Sequence, residues 1–282
     1  TEGEIGDLDR LGERVDQRRE SSLLVVPSLS RRLIAVASHR LRGRETAIVA
    51  GGSCPSELVG ELFRALPHVR LFNEYGPTEA TVWASVHEAT ADDGERPVPI
   101  GRPIPGVRVE VLDDLGRRVP GGIPGEAWIG GPTVAQGYWR RPDLTSERFR
   151  GETSPAGAGP RRYRTGDRVA WTAEGQLRFL GRDDEQIKLR GFRIEPGEIE
   201  AALKALPGVE RAAVVARDGG PGGVEEDPTR AQLVAFVEGG SDDPPVDWRP
   251  ELARRLPDHM VPSRLVTLPG LPRLPNGKVD RK

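Results

Sequence analysis

The sequence predicts an α/β protein, on three observations. Strand-like apolar runs alternate with amphipathic helical segments over residues 1–97. Short β-type runs cut by Gly and Pro turns fill residues 98–183. Helix and strand patterns then mix over residues 184–282, a length that suits a compact α+β module. The first stretch predicts a mostly parallel sheet, and the second an antiparallel, barrel-like section.

Taken in order, Leu8, Leu11 and Val15 place a helix from about Asp7 to Arg19, and Leu23–Val26 reads as a strand. Pro27-Ser28 opens a second helix, with Leu29, Leu33 and Ile34 at helical spacing. Thr46–Ala50 is a short strand ending in Gly51-Gly52, and Pro55 and Ser56 open a helix through Leu66. Val69–Phe72 is a strand that runs into a loop, Asn73–Glu79. Ligands of parallel sheets bind beyond the carboxyl ends of strands, so both loops are predicted site loops. In the second stretch Val107–Leu112, Glu126–Ile129 and Gln176–Leu180 are strands, and Gly151–Pro160 is read as a mobile loop. In the third, Glu195–Ala205 and Pro250–Leu256 are helical, while Val209–Ala216, Gln232–Val237 and Val261–Leu268 are strands. Gly219–Pro228 reads as a flexible turn region.

Composition narrows the function. A net charge of −2 with no basic half gives no sign of nucleic acid or an anionic membrane. No apolar run approaches the roughly 20 residues of a membrane helix, and the start carries no signal-peptide pattern. The single cysteine, Cys54, excludes an intramolecular disulfide, fits a reducing, cytoplasmic setting and reads as structural. Four scattered histidines show no zinc-ligand spacing.

Chemistry concentrates in a few strings. Only four lysines, Lys188, Lys204, Lys278 and Lys282, stand among 41 basic residues, and Lys278 sits in a Pro-Asn-Gly turn. A Lys there is a compact charge that reaches a polyphosphate, or an ordinary surface residue. Asn73-Glu74-Tyr75-Gly76-Pro77-Thr78-Glu79 combines an amide for a base edge, a ring for a purine, a hydroxyl for a phosphate and a carboxylate for Mg²⁺. A turn with a Thr-Glu helix cap is an equal reading. Tyr163-Arg164-Thr165-Gly166-Asp167 puts a carboxylate after a tight turn, suited to ribose hydroxyls or to plain turn chemistry. Gly181–Gly191 is a polar boundary segment, either a solvated linker or a hinge.

In this fixed order the strings resemble the adenylation domains of nonribosomal peptide synthetases, within the adenylate-forming superfamily. The matching strings are Asn73–Glu79, Ile100–Ile104, Gly125–Gly131, Ala135–Pro142, Leu144–Phe149, Tyr163–Asp167, Gly181–Glu198, Met260–Ser263 and Asn276–Arg281, and the resemblance covers essentially the whole chain. It implies amino-acid adenylation with ATP and Mg²⁺, then transfer to the phosphopantetheine thiol of a partner carrier domain. By resemblance Gly51, Asn73, Glu74 and Tyr75 belong to the nucleotide site, where Asn73 and Tyr75 hold the adenine. Thr78 meets the α-phosphate, Glu79 binds Mg²⁺, and Asp167 and Arg182 hold the ribose. Lys278 is the catalytic lysine, with Thr78 and Glu79 beside it in the catalytic set. Asp184 is the hinge before a mobile C-terminal subdomain, and Lys188 and Gly191 face the pantetheine arm. The amino-acid pocket maps to Val25, Ile48, Ala50, Glu74, Val82 and Trp83. Glu74 there asks for a polar or amino-bearing side chain, or points away and specifies nothing, while Trp83 would fill volume and favour a small or slender substrate.

The departures are specific. The family's N-terminal half, with its phosphate loop and the aspartate for the substrate amine, has no counterpart, so a fragment is expected, with that half and a condensation domain as further partners. His259 stands where Tyr is usual, and Leu274-Pro275 precedes Asn276. An acyl- or aryl-CoA ligase, or a non-catalytic fragment that docks a carrier protein, are the alternatives. An apolar sheet edge is expected to be exposed.

Overall fold

A computed structural model describes residues 8–17, 22–154, 157–189, 191–218, 231–239, 248–275, 277 and 279–281. They form two compact units, Thr1–Asp184 and Glu185–Lys282.

The first unit begins with α1 (Leu8–Gln17), β1 (Ser22–Val25), α2 (Pro27–Leu41), β2 (Thr46–Ala50), α3 (Ser56–Ala65) and β3 (Arg70–Tyr75). Pro27 starts α2 where a missing N–H costs nothing. β4 (Ser85–Ala89) and β5 (Arg102–Pro103) complete a five-stranded sheet in the order β1-β2-β3-β4-β5. β1, β2 and β3 run parallel, but β4 and β5 add antiparallel, so the sheet is mixed. Alternate residues of β2 are buried, and the inward face meets the helices. Leu33, Leu58 and Leu62 are 1 % exposed, and each such side chain contributes about 1.5–3 kcal/mol on burial.

β6 (Arg108–Leu112), β7 (Gly125–Gly130), α4 (Pro142–Arg148), β8 (Phe149–Ser154), β9 (Gly157–Trp171) and β10 (Leu177–Arg182) build the second sheet. It is antiparallel, ordered β10-β9-β7-β6 with β8 on β9. β6 and β10 are not paired among the described residues, so this is an open sheet where a barrel was expected. The expected loop 151–160 is instead paired: β8 and β9 register Gly151 with Arg161 and Ser154 with Gly157. The two sheets are tied by Ile100 N–H to Leu177 O (2.8 Å) and Leu177 N–H to Gly101 O (2.7 Å). Tyr75, from the first sheet, is packed in the apolar core of the second.

The second unit holds the hairpin β11 (Ile187–Leu189)–β12 (Phe192–Ile194), α5 (Pro196–Lys204), β13 (Val209–Asp218), β14 (Ala231–Gly239), α6 (Trp248–Ala253) and β15 (Arg264–Leu268). β13 and β14 are antiparallel, and β15 joins β14 in parallel. Ile194, Ile199, Leu203, Ala235 and Leu252 form its core. Arg281 donates to Glu200 (2.6 Å), Val214 O (3.1 Å) and Glu185 (2.8 Å) within this unit. His259 stacks on Phe192 at 4.0 Å, so an imidazole fills the place expected of Tyr. Residues 219–228, expected to form a flexible turn region, lie outside the described residues. No described helix is long and apolar enough to cross a membrane.

Candidate functional site

Strand β3 carries the first half of the site. Its burial alternates, so Leu71, Asn73 and Tyr75 face inward while Phe72 and Glu74 face the opposite way. The strand continues through Tyr75, because β4 returns beside it and pairs Asn73 with His87 and Tyr75 with Ser85. The loop therefore begins at Gly76. A Cβ on Gly76 would lie 2.4 Å from Val82 O, so the turn needs glycine for close backbone approach. One 3₁₀ turn, Thr78–Ala80, follows, then Thr81 and Val82 with φ of 55° and 69°. Positive φ at a β-branched residue is strained backbone.

The second half comes from β9, whose inward residues are Tyr163, Thr165, Asp167 and Val169. Thr165–Asp167 is not a turn but an irregular point in this strand, with Gly166 at φ +75°. The Tyr75 hydroxyl donates to Asp167 Oδ2 at 2.5 Å, and Arg182 donates to Asp167 Oδ1. Arg182 also forks onto Asp184 at 2.6 and 2.7 Å and donates to Thr165 O at 2.9 Å. Asp167 is 1 % exposed and its N–H donates to Thr165 Oγ1 at 2.9 Å. Burial, then the Asp167 carboxylate, hold the Tyr75 phenol well above its ordinary pKa, so it stays a donor.

Glu126, at the start of a predicted strand but given no site role, accepts Gly166 N–H at 3.0 Å and Arg164 Nε–H at 2.9 Å, bracketing the same point. No spacing signal could have joined residues 40 positions apart. Tyr138 lies in a matching string but received no role; its hydroxyl donates to Glu79 Oε1 at 2.5 Å. Burial and that carboxylate push the Tyr138 phenol above its ordinary value.

The structure thus gathers Tyr75, Asp167, Arg182 and Asp184. Other expected residues fall elsewhere. Asn73 is 4 % exposed and donates its amide to Pro99 O at 2.7 Å, so it braces the strand and its amide is not open to a base edge. Thr78 is exposed and Glu79 is 6 % exposed. Gly51 ends β2 with φ +77°. Ile48, Ala50 and Glu74 share one half-buried sheet face, by the register Ile48↔Phe72 and Ala50↔Glu74. Val25 pairs with Val49 and points the other way into the core, so it cannot line that face. Val82 and Trp83 are 67 % and 42 % exposed. Glu74 makes no hydrogen bond or ion pair among the described residues, and burial raises its pKa. Lys188 is exposed on β11, and Gly191 lies in the β11–β12 turn; both belong to the second unit. Lys278 lies outside the described residues. Cys54 is buried, and desolvation pushes its thiol up to about 12, which fits a structural residue.

Among the described residues no cluster of three or more His, Cys, Asp or Glu could hold a metal. A single carboxylate such as Glu79 fits Mg²⁺ that arrives on a nucleotide, because that ion takes most of its ligands from phosphates and water.

Comparison with known proteins agrees on one family. The AMP-binding enzyme model matches residues 6–139, and the AMP-binding enzyme C-terminal domain model matches residues 198–278. A dimodular nonribosomal peptide synthase of Bacillus subtilis is 41 % identical over 99 % of this chain and 11 % of its own length. Phosphinothricin tripeptide synthetase PhsC of Streptomyces viridochromogenes is 42 % identical over 98 % of this chain and 24 % of its own. Holo-PA1221, a synthetase protein with adenylation and PCP domains bound to a vinylsulfonamide inhibitor, superposes with a TM-score of 0.81 at 31 % identity, over 98 % of this chain and 46 % of that one. The amide bond synthetase McbA of Marinactinospora thermotolerans gives 0.80 at 28 % identity, over 97 % and 53 %. The chain spans about half the length of these solved chains and a quarter or less of the synthetases.

Proposed function

The chain belongs to the AMP-binding enzyme family, and from that premise we propose that it supplies the nucleotide-facing part of an amino-acid adenylating ligase in nonribosomal peptide synthesis. One observation carries the reading: two strings of the family pattern, 92 residues apart, meet in the buried Tyr75–Asp167 hydrogen bond. In the reaction an amino-acid carboxylate oxygen attacks the α-phosphorus of ATP. The bond to the bridging oxygen breaks, and pyrophosphate leaves with its electron pair. A carrier phosphopantetheine thiol then adds to the acyl carbon, loses its proton and expels AMP.

Asp167 receives the ribose hydroxyls. Its carboxylate has about four acceptor positions, of which Tyr75 and Arg182 occupy two. At 1 % exposure it is reached only when Arg182 or Tyr75 swings aside. Tyr75 flanks the base, Gly51 borders the site from β2, and Thr78 meets the α-phosphate. Glu79 would hold Mg²⁺, which when bound neutralises phosphate charge. Lys278 bridges carboxylate and α-phosphate as charge develops. Ile48, Ala50, Glu74, Val82 and Trp83 form part of the amino-acid pocket, where Glu74 selects a polar or amino-bearing side chain and Trp83 a small or slender one. Asp184 is the hinge, and Lys188 and Gly191 face the pantetheine arm of a carrier domain. The remaining partners are the N-terminal part of the domain and a condensation domain. Dependence on ATP is the reason for a cytoplasmic setting.

The likeness to an amide bond synthetase supports a second reading, in which an aryl or acyl acid is adenylated. The test is acid-dependent ATP–pyrophosphate exchange, with amino, aryl and fatty acids. It is run on this chain and on the chain extended to the length of its solved relatives. Exchange with one amino acid, lost in Lys278→Ala, is expected from the extended form. Exchange with aryl or fatty acids alone selects the second reading, and none from any acid leaves a carrier-docking fragment.

A further inference from the structure

The 3₁₀ turn that bears Glu79 is too short to fix a long side chain by itself. It is a single turn, and ordering a Glu side chain costs up to about 2 kcal/mol of rotamer entropy. A second segment, residues 133–138, holds it from outside. Ala135 N–H donates to Glu79 O at 2.9 Å, Thr81 Oγ1–H to Thr133 O at 2.6 Å, and the Tyr138 hydroxyl to Glu79 Oε1 at 2.5 Å. The first two bonds hold the turn's backbone, and the third reaches the carboxylate itself. Tyr138 is itself held. Its ring packs edge-on against Phe149 at 5.4 Å, and its N–H donates to Thr145 Oγ1 at 2.9 Å.

We propose that Tyr138 is a positioning residue for the Glu79 carboxylate, orienting it toward the Mg²⁺ of a bound nucleotide. The inference rests on the proposed role of Glu79. Mg²⁺ demands near-ideal octahedral geometry, so a site with one protein carboxylate depends on how that carboxylate is turned. Partners that orient a ligand in this way cost roughly 10–100-fold in metal affinity when removed.

Tyr138→Phe deletes the hydroxyl and keeps the ring packing; Glu79→Gln deletes the ligand charge. Both are made in the chain extended to the length of its solved relatives. Mn²⁺ binding in the presence of ATP is followed by electron paramagnetic resonance, beside the Mg²⁺ dependence of pyrophosphate exchange. Tyr138→Phe is expected to weaken Mn²⁺ binding about tenfold. Exchange should recover at saturating Mg²⁺ with an unchanged maximal rate, and the thermal midpoint should stay near wild type. Unchanged Mn²⁺ affinity in Tyr138→Phe, with loss in Glu79→Gln, overturns the positioning role and leaves Glu79 as ligand. Wild-type affinity in Glu79→Gln, or no ATP-dependent Mn²⁺ binding in the parent, overturns the metal role of Glu79 and this inference with it.

Discussion

Strand β3 has two faces with opposite fates. Its inward residue Tyr75 is 6 % exposed and joins Asp167, Arg182 and Asp184 in one hydrogen-bonded cluster. Its outward neighbour Glu74 is half-buried beside Ile48 and Ala50, and finds no partner among the described residues. Leu24, on that outward face at the sheet edge, is 65 % exposed. The difference follows from what each face must satisfy. A buried carboxylate persists only with its partners supplied, so the inward cluster is organised before any ligand arrives. The outward face has an apolar lining and a carboxylate with no partner among the described residues, so its charge is left to be met from outside.

Breaking the inward cluster should have the largest effect. Arg182→Met leaves Asp167 buried without its cation, which costs roughly 3–5 kcal/mol in denaturant unfolding of the first unit. Adding Asp167→Asn should recover much of that loss; equal single and double losses would show that Arg182 acts through packing alone. A second test asks whether the inward side is sealed. Cys54 shares the helix-covered core with Val49, and its thiol is pushed up to about 12. At pH 8 the native thiol should react with an aromatic disulfide about a thousandfold more slowly than the urea-unfolded chain. Comparable rates would mean that this core opens. A smaller loss comes from Gly166→Ala. Its φ of +75° suits glycine, and a Cβ there would lie 2.5 Å from Asp184 Oδ2. About 1–3 kcal/mol should be lost, by the same unfolding measurement.

These contrasts also mark what the sequence could reveal. β2 was legible because apolar residues fill it between clear turn signals, and the helices because Leu33, Leu58 and Leu62 recur at helical spacing. β9 was not, since its alternation runs Tyr163, Thr165, Asp167 against Arg162, Arg164, Arg168, and two of the inward members are polar. Hydrophobic periodicity cannot see a strand that buries a hydrogen-bonded carboxylate. β4 was missed for the same reason: buried Ser85 and His87 stand where apolar residues would mark a strand, and His87 is paired with Asp93 at 2.9 Å. Tyr75, Asp167, Arg182 and Asp184 were each named from the family pattern, but their union depends on pairing that no local string encodes. Val25 falls on the face opposite to Ile48 and Ala50. A period of two sends neighbours to opposite faces, so Leu24 shares the face of Ile48 while Val25 does not.

The smallest effect, and the one that bears most on the outward face, belongs to Glu74. Burial alone raises its pKa in the folded chain. A raised folded value means that the native state holds the proton more tightly than the unfolded chain does. The stability this lends is fully present below the ordinary Glu value and is lost as pH rises through the raised one. At neutral pH the ionised carboxylate therefore costs stability, and Glu74→Gln should raise the thermal midpoint slightly there while leaving it unchanged at low pH. The wild type's loss between those limits should flatten in the variant. An ammonium-bearing amino acid seated on this face would reverse the sign: it would stabilise the ionised form, and its binding would weaken as pH falls toward the ordinary Glu value. Binding that is indifferent to both Glu74→Gln and pH would mean that Glu74 carries no specificity, leaving selection to Ile48, Ala50, Val82 and Trp83.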